Sequence, residues 1–265
     1  ISGGLAKKHL NVPVSLITDK STQTWMEESN IYQKALEVFD KIILVEKPKT
    51  SNTRKLHDGD SNKTVPFVNT NRNSVWELTP YDRTLLIDSD FLIFSNRLNE
   101  YWSADEDFLI SKSVIDICDQ RRLGYHDRYI SDTGVHLYWA TTIMFTKNQR
   151  SKSLFEMVDY VKRNYEYYAD IFRFDPRQYR NDIAFSVAKH ILDGYSTDTA
   201  MTLPSIHTVL DKDILSSVDK NGKMTFLVTP NVDNEYCAAT VKDMDLHIIN
   251  KQSIIRNAES LLSLI

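Results

Sequence analysis

The chain is poor in glycine. It has seven in 265 residues, where an average protein carries about 7%, and only Gly3-Gly4 are adjacent. No G-x-G-x-x-G, G-x-x-x-x-G-K-[S/T] or G-x-S-x-G occurs. Dinucleotide binding on a Rossmann turn, the P-loop and the nucleophile elbow all depend on those small backbones and lose their support. A phosphate-bearing ligand is instead expected to be held by a metal ion and side chains. Cysteine is scarcer still. Cys118 and Cys237 make neither a disulfide framework nor a Cys-rich zinc site, and they read as two buried thiols of a cytoplasmic protein. No apolar run approaches the roughly 18–20 residues of a membrane span. Charge is balanced, at −4 net with no long basic tract, so the electrostatic footprint of a nucleic-acid binder is missing. No secretory leader is visible. Residues 6–10 look like the end of a helix, and further chain is expected upstream of Ile1.

With 42% hydrophobic and 26% charged residues, the composition is that of a globular domain. Short apolar runs at 12–17 and 41–45 flank a helical pattern over 24–38, the signature of a βαβ unit and a parallel sheet. Residues 47–73, with Pro48, Asn52, Gly59 and Asn62, read as one long loop. A short helix ends at 75–78 and a strongly apolar strand follows at 83–87. Further strands are expected at 91–94, 108–111 and 136–145. Leu154, Phe155, Val158, Val161, Tyr165 and Tyr168 form one stripe of a helix over 151–172. Residues 180–192 form another helix. Strands at 206–210, 224–228 and 246–249 and a closing helix over 253–265 complete one α/β domain.

Asp-x-Asp is a common pair. With 25 aspartates among 265 residues, independent placement gives about two such pairs, and there are five: Asp58/Asp60, Asp88/Asp90, Asp105/Asp107, Asp211/Asp213 and Asp243/Asp245. Only Asp88/Asp90 ends a buried strand, the place where α/β sheets put ligands. Alternate residues of extended chain point to one side. Two carboxylates there suit an octahedral Mg²⁺ or Mn²⁺ completed by phosphate and water.

The stretch from Arg72 through Trp76, Tyr81 and Arg83 to Asp88-Ser89-Asp90 resembles the GT-A glycosyltransferases, most nearly the glycogenin-like retaining branch. Asp245-Leu246-His247-Ile248-Ile249-Asn250-Lys251 resembles that family's late element, His-x-x-[Gly/Asn] followed by a lysine, and Asn181-Asp182-Ile183-Ala184-Phe185 its element beside the donor sugar. The resemblance implies a mostly parallel central sheet flanked by helices. It implies a Mn²⁺ or Mg²⁺ ion held by Asp88, Asp90 and His247. Arg72, Asp88, Ser89, Asp90 and Lys251 would bind the donor, a nucleotide diphosphate sugar and most naturally a UDP-sugar. Asn181, Asp182 and Lys251 would serve catalysis. Two departures stand out. Ala140-Thr141-Thr142 occupies the place of an Asn-Ser-Gly element, with Asp132-Thr133-Gly134-Val135 as an alternative register, and the family's first strand would have to precede Ala6.

The implied reaction is retaining transfer to an acceptor hydroxyl. The acceptor attacks from the leaving-group side and a diphosphate oxygen takes its proton. A double displacement would need a carboxylate nucleophile, and Asp182 is the one candidate. Two other classes compete. A haloacid dehalogenase-like phosphatase also follows an apolar strand with Asp-x-Asp, but usually on its first strand, and would hydrolyse p-nitrophenyl phosphate. A non-catalytic sugar- or protein-binding module would keep the scaffold without turnover. The resemblance makes two geometric demands: His247 must lie beside Asp88 and Asp90 at one open pocket, with its second ring nitrogen hydrogen-bonded, and Lys251 must reach past the metal towards the phosphates.

Overall fold

A computed structural model describes every residue except 30, 48–51, 60, 119–122, 197–200 and 229–236; Pro48 and Asp60 therefore lie outside the described residues. Helix α1 (Ser2–Leu10) stops where Asn11 turns left-handed and donates its N–H to the Lys7 carbonyl, one of the standard ways to satisfy a terminal carbonyl. The lone glycine pair serves close approach. A methyl group at Gly3 would collide with the Phe39 ring, and at Gly4 it would lie 2.7 Å from Ile265.

Strands β1 (Ser15–Asp19) and β2 (Lys41–Val45) pair in parallel. The helical segment between them is two helices rather than one, α2 (Lys20–Glu28) and α3 (Tyr32–Val38). Asp19 starts the first by accepting the Thr22 N–H at 3.0 Å, an N-cap contact. Ser29 closes α2, and a serine that bonds nearby backbone favours helix ends over interiors.

The expected long loop contains an antiparallel hairpin, β3 (Thr53–Asp58) and β4 (Ser61–Pro66). Gly59 supplies the positive φ, 60°, that its tight turn requires. The Asp-Gly signal was present, but both strands are largely exposed and polar, so no hydrophobic alternation marked them.

A 3₁₀ turn at Arg72–Ser74 leads into the short helix α4 (Val75–Leu78) and strand β5 (Arg83–Ile87). Next come β6 (Phe91–Leu92), β7 (Phe108–Ser111), β8 (Val114–Asp116) and β9 (Trp139–Thr146). The stripe expected as one helix is α5 (Gln149–Arg163) and α6 (Tyr165–Phe172), interrupted at Asn164, which leaves helical geometry. Helix α7 is Asn181–Leu192. Strands β10 (Ile206–Val209), β11 (Ile214–Val218), β12 (Met224–Val228), β13 (Cys237–Val241) and β14 (Leu246–Ile248) precede α8 (Lys251–Arg256) and α9 (Ala258–Leu262). Asn257 divides that closing segment.

The fold is mixed α/β, in several small sheets. Parallel pairing is found at β1–β2 and through β8–β10–β14. The set β5–β9–β7, the set β11–β12–β13 and the pair β6–β14 are antiparallel. The larger core packs the β5–β9–β7 sheet against α5 and α7, with Phe145, Phe155 and Phe185 in mutual edge contact about Phe155. The smaller gathers Leu92, Val209, Leu215, Phe226, Ile248 and Leu261. Cys118 and Cys237 are half-buried rather than buried. Among the described residues no helix is long and apolar enough to cross a membrane.

Candidate metal centre

Asp88 and Asp90 sit where the chain passes from one sheet to the other. The Asp88 N–H donates to the Thr141 carbonyl at 3.0 Å, extending the β5–β9 ladder by one bond. The chain then turns, with the Phe91 N–H on the Asp88 carbonyl. The Asp90 carbonyl accepts the Ile248 N–H at 2.9 Å, and β6 pairs with β14 so that Phe91 faces His247. That single antiparallel pairing is what brings His247 to the Asp-x-Asp. Ligand atoms of Asp88, Asp90 and His247 all lie within 4.8 Å of one another. Ser89, between the aspartates, is exposed at the turn.

Each carboxylate has its own cation. Arg72, buried beneath the 3₁₀ turn, donates to Asp88 and also to the Ala140 carbonyl. Burial opposes its charge, but the pull of Asp88, helped by Asp182 and Asp90, prevails and holds the guanidinium above its ordinary pKa. Lys251 opens α8 and places its ammonium 2.9 Å from Asp90 Oδ2. Asn250 caps that helix by accepting the Ser253 N–H at 3.1 Å. Burial would raise the pKa of Asp90, yet His247 and Lys251 keep it below the usual carboxylate value. Lys251 therefore rests on the carboxylate instead of reaching past it.

The remaining lone pairs are informative. Asp90 Oδ1 and His247 Nδ1 are both buried and without a hydrogen-bond partner. His247 Nε2 stands 3.8 Å from Asp90 Oδ1, too far for a hydrogen bond. The expected second-nitrogen bond of His247 is thus not made. Thr208, opposite His247 in the parallel β10–β14 register, also buries an unpartnered hydroxyl. Buried polar atoms are rarely left this way. A carboxylate oxygen and an imidazole nitrogen within 4.8 Å of each other suit a hard or borderline cation.

Asp182, at the start of α7, joins the site through the Ala140 backbone. Asp182 Oδ1 accepts the Ala140 N–H at 2.8 Å and Oδ2 accepts from Arg180 at 3.1 Å. Arg72 and Asp182 thus hold the two sides of residue Ala140, the first position of Ala140-Thr141-Thr142. The alternative register lies in a turn where Asp132 is 72% exposed and pairs with Arg173. Asn181 donates to the Asn69 carbonyl at 2.7 Å and leaves its buried Oδ1 unpartnered. Trp76 and Tyr81 are structural. The indole bonds Ser151 at the start of α5, and the phenol bonds Ser15 on β1.

Sequence reasoning missed the Ala140 junction, because a backbone contact leaves no residue signature. It also missed the capping role of Asn250, although Asn-x-x-Ser before a helix is a capping pattern. The three candidate ligands converge, but they line neither the cavity beside Phe91 and Asp245 nor the one beside Thr70 and Tyr179. Comparison with protein-family models and with curated protein sequences finds no match.

Proposed function

We propose that this chain is a metal-dependent glycosyltransferase of GT-A type that takes a sugar from a nucleotide diphosphate sugar, with a UDP-sugar as the first donor to test, and passes it to an acceptor hydroxyl with retention. The observation that carries this reading is the convergence of Asp88, Asp90 and His247, from distant parts of the chain, with two buried ligand atoms left unpartnered. Asp88, Asp90 and His247 would hold Mn²⁺ or Mg²⁺, and the ion would neutralise charge developing on the departing diphosphate.

The formal charges of Asp88, Asp90, Arg72 and Lys251 cancel in pairs. A divalent ion therefore adds uncompensated positive charge, which a diphosphate offsets, so metal and donor should bind together. Lys251 and Arg72, already at the site's edge, orient and screen the phosphates. Asp182, beside Arg72 and tied to Ala140, would position the donor sugar. With both carboxylate oxygens in hydrogen bonds, Asp182 suits that task better than nucleophilic attack.

Thermal stability with UDP-sugars and Mn²⁺ tests the proposal. Ligand at 100-fold over Kd should add about 2.7 kcal/mol, the gain should vanish in chelator, and Asp90→Asn should abolish both the gain and turnover. Equal donor binding in chelator overturns the reading. A second reading, a non-catalytic module, draws on the closed Arg72–Asp88 and Lys251–Asp90 pairs. It is favoured if donor binds with metal but no sugar is transferred or hydrolysed.

A further inference from the structure

A cavity of about 590 Å³ lies behind the same two segments that carry the site. One part of its wall, Thr70 and Asn71, immediately precedes Arg72. Another, Pro176 and Tyr179, runs into Arg180-Asn181-Asp182. Its volume falls in the range of ligand sites, and its lining is polar and aromatic, with no aliphatic side chain apart from the proline ring.

The cations of this cavity are already engaged. Lys162 donates to the Thr70 carbonyl at 2.6 Å and to Asn71, and lies 5.5 Å from the centre of the Tyr179 ring. Arg163 pairs with Asp159 at 2.7 Å. Glu166 adds a negative charge at the exposed rim. A phosphate or nucleotide would find little free positive charge. The floor is equally neutral. Tyr165 and Tyr179 meet with ring centres 5.0 Å apart, and the Tyr165 hydroxyl accepts the Arg180 N–H at 3.1 Å. Burial pushes Tyr165 up to about 12 and raises Tyr179 as well, so both remain phenols. Tyr167 is different: the residue is 63% exposed, and its ring meets Tyr168 edge to face, 5.3 Å between centres.

An exposed aromatic face beside carboxylate, amide and hydroxyl groups suits a ligand that offers C–H faces and many hydroxyls but no charge. We propose that this cavity binds a neutral oligosaccharide; on the transferase reading above, on which this assignment of role rests, it is the acceptor chain. Tyr167 supplies the stacking face, Glu166 accepts from sugar hydroxyls, and the engaged lysine and amides form a fixed polar wall.

The test is saturation-transfer NMR and calorimetry of the full chain with a panel of neutral di- and trisaccharides of glucose, galactose, mannose and xylose in α and β linkage. Tyr167→Ala and Glu166→Gln alter exposed side chains, so neither threatens folding. At least one panel member should bind, and each variant should weaken it tenfold or more without changing Mn²⁺-dependent UDP-sugar binding. Absence of binding across the panel, or variants that bind as wild type does, overturns the proposal. Oligosaccharide binding without metal-dependent donor binding keeps the cavity and discards the transferase reading. Donor turnover without oligosaccharide binding does the reverse.

Discussion

Asp88 and Asp90 are two residues apart, yet they belong to different parts of the molecule. Asp88 ends the β5–β9 ladder over the larger core and is held by Arg72, which is almost wholly buried. Asp90 begins the β6–β14 contact over the smaller core and is held by Lys251, whose side chain is 30% exposed. The short motif is a splice between two sheets, and each sheet brings its own cation. A rigid, two-donor guanidinium locks the first carboxylate to the backbone at Ala140, whereas a flexible ammonium covers the second and can move aside. This asymmetry leaves Asp90 as the carboxylate free to change partners.

The sharpest break should come at Arg72. Arg72→Ala strands Asp88 and the Ala140 carbonyl, and removing one partner of such a buried pair costs about 3 kcal/mol or more. Urea denaturation should show that loss with or without metal. Lys251→Ala should cost less, about 1–2 kcal/mol, because the lysine is partly solvated while Asp90 keeps an unmet charge. Here Mn²⁺ should recover much of the loss by taking over the lysine's role. If metal rescues Arg72→Ala and not Lys251→Ala, the comparison is inverted.

Asp58 and Arg256 show the same pairing at the surface, where the tip of the β3–β4 hairpin meets α8. The Arg256 hydrogen bond, against a smaller effect of burial, lowers the Asp58 pKa. That contribution is present above the unfolded carboxylate value, about 3.9, and is lost as pH falls through the lower folded value. Arg256→Ala should therefore cost under about 1 kcal/mol at pH 6, and the difference from wild type should shrink below pH 3. A difference that persists undiminished in acid would assign the effect to packing of the arginine stem.

Much of this was legible in the chain. The apolar strand into Asp88-Ser89-Asp90 and the α7 helix lie close to where hydrophobic pattern puts them. Helix interruptions at Ser29, Asn164 and Asn257 were less visible, because a periodic stripe continues across a residue that breaks only one turn. The exposed hairpin was hidden for the opposite reason: it buries too little to show a period. Strand direction was misjudged towards parallel where no helix joins neighbouring strands, as in β5–β9–β7.

By itself the sequence determined which groups could do chemistry: two carboxylates at a strand end, one imidazole and one lysine late in the chain, and no glycine cradle for phosphate. Those follow from residue type and local spacing, which act over a few residues. Whether the groups meet was decided only by the tertiary structure. A two-residue strand pairing with β14 sets His247 against Asp90, a helix start sets Lys251 on the same carboxylate, and one residue, Ala140, joins Arg72 to Asp182. The strand pairing and the Ala140 junction use backbone groups, which every residue offers alike, so no local pattern could announce them.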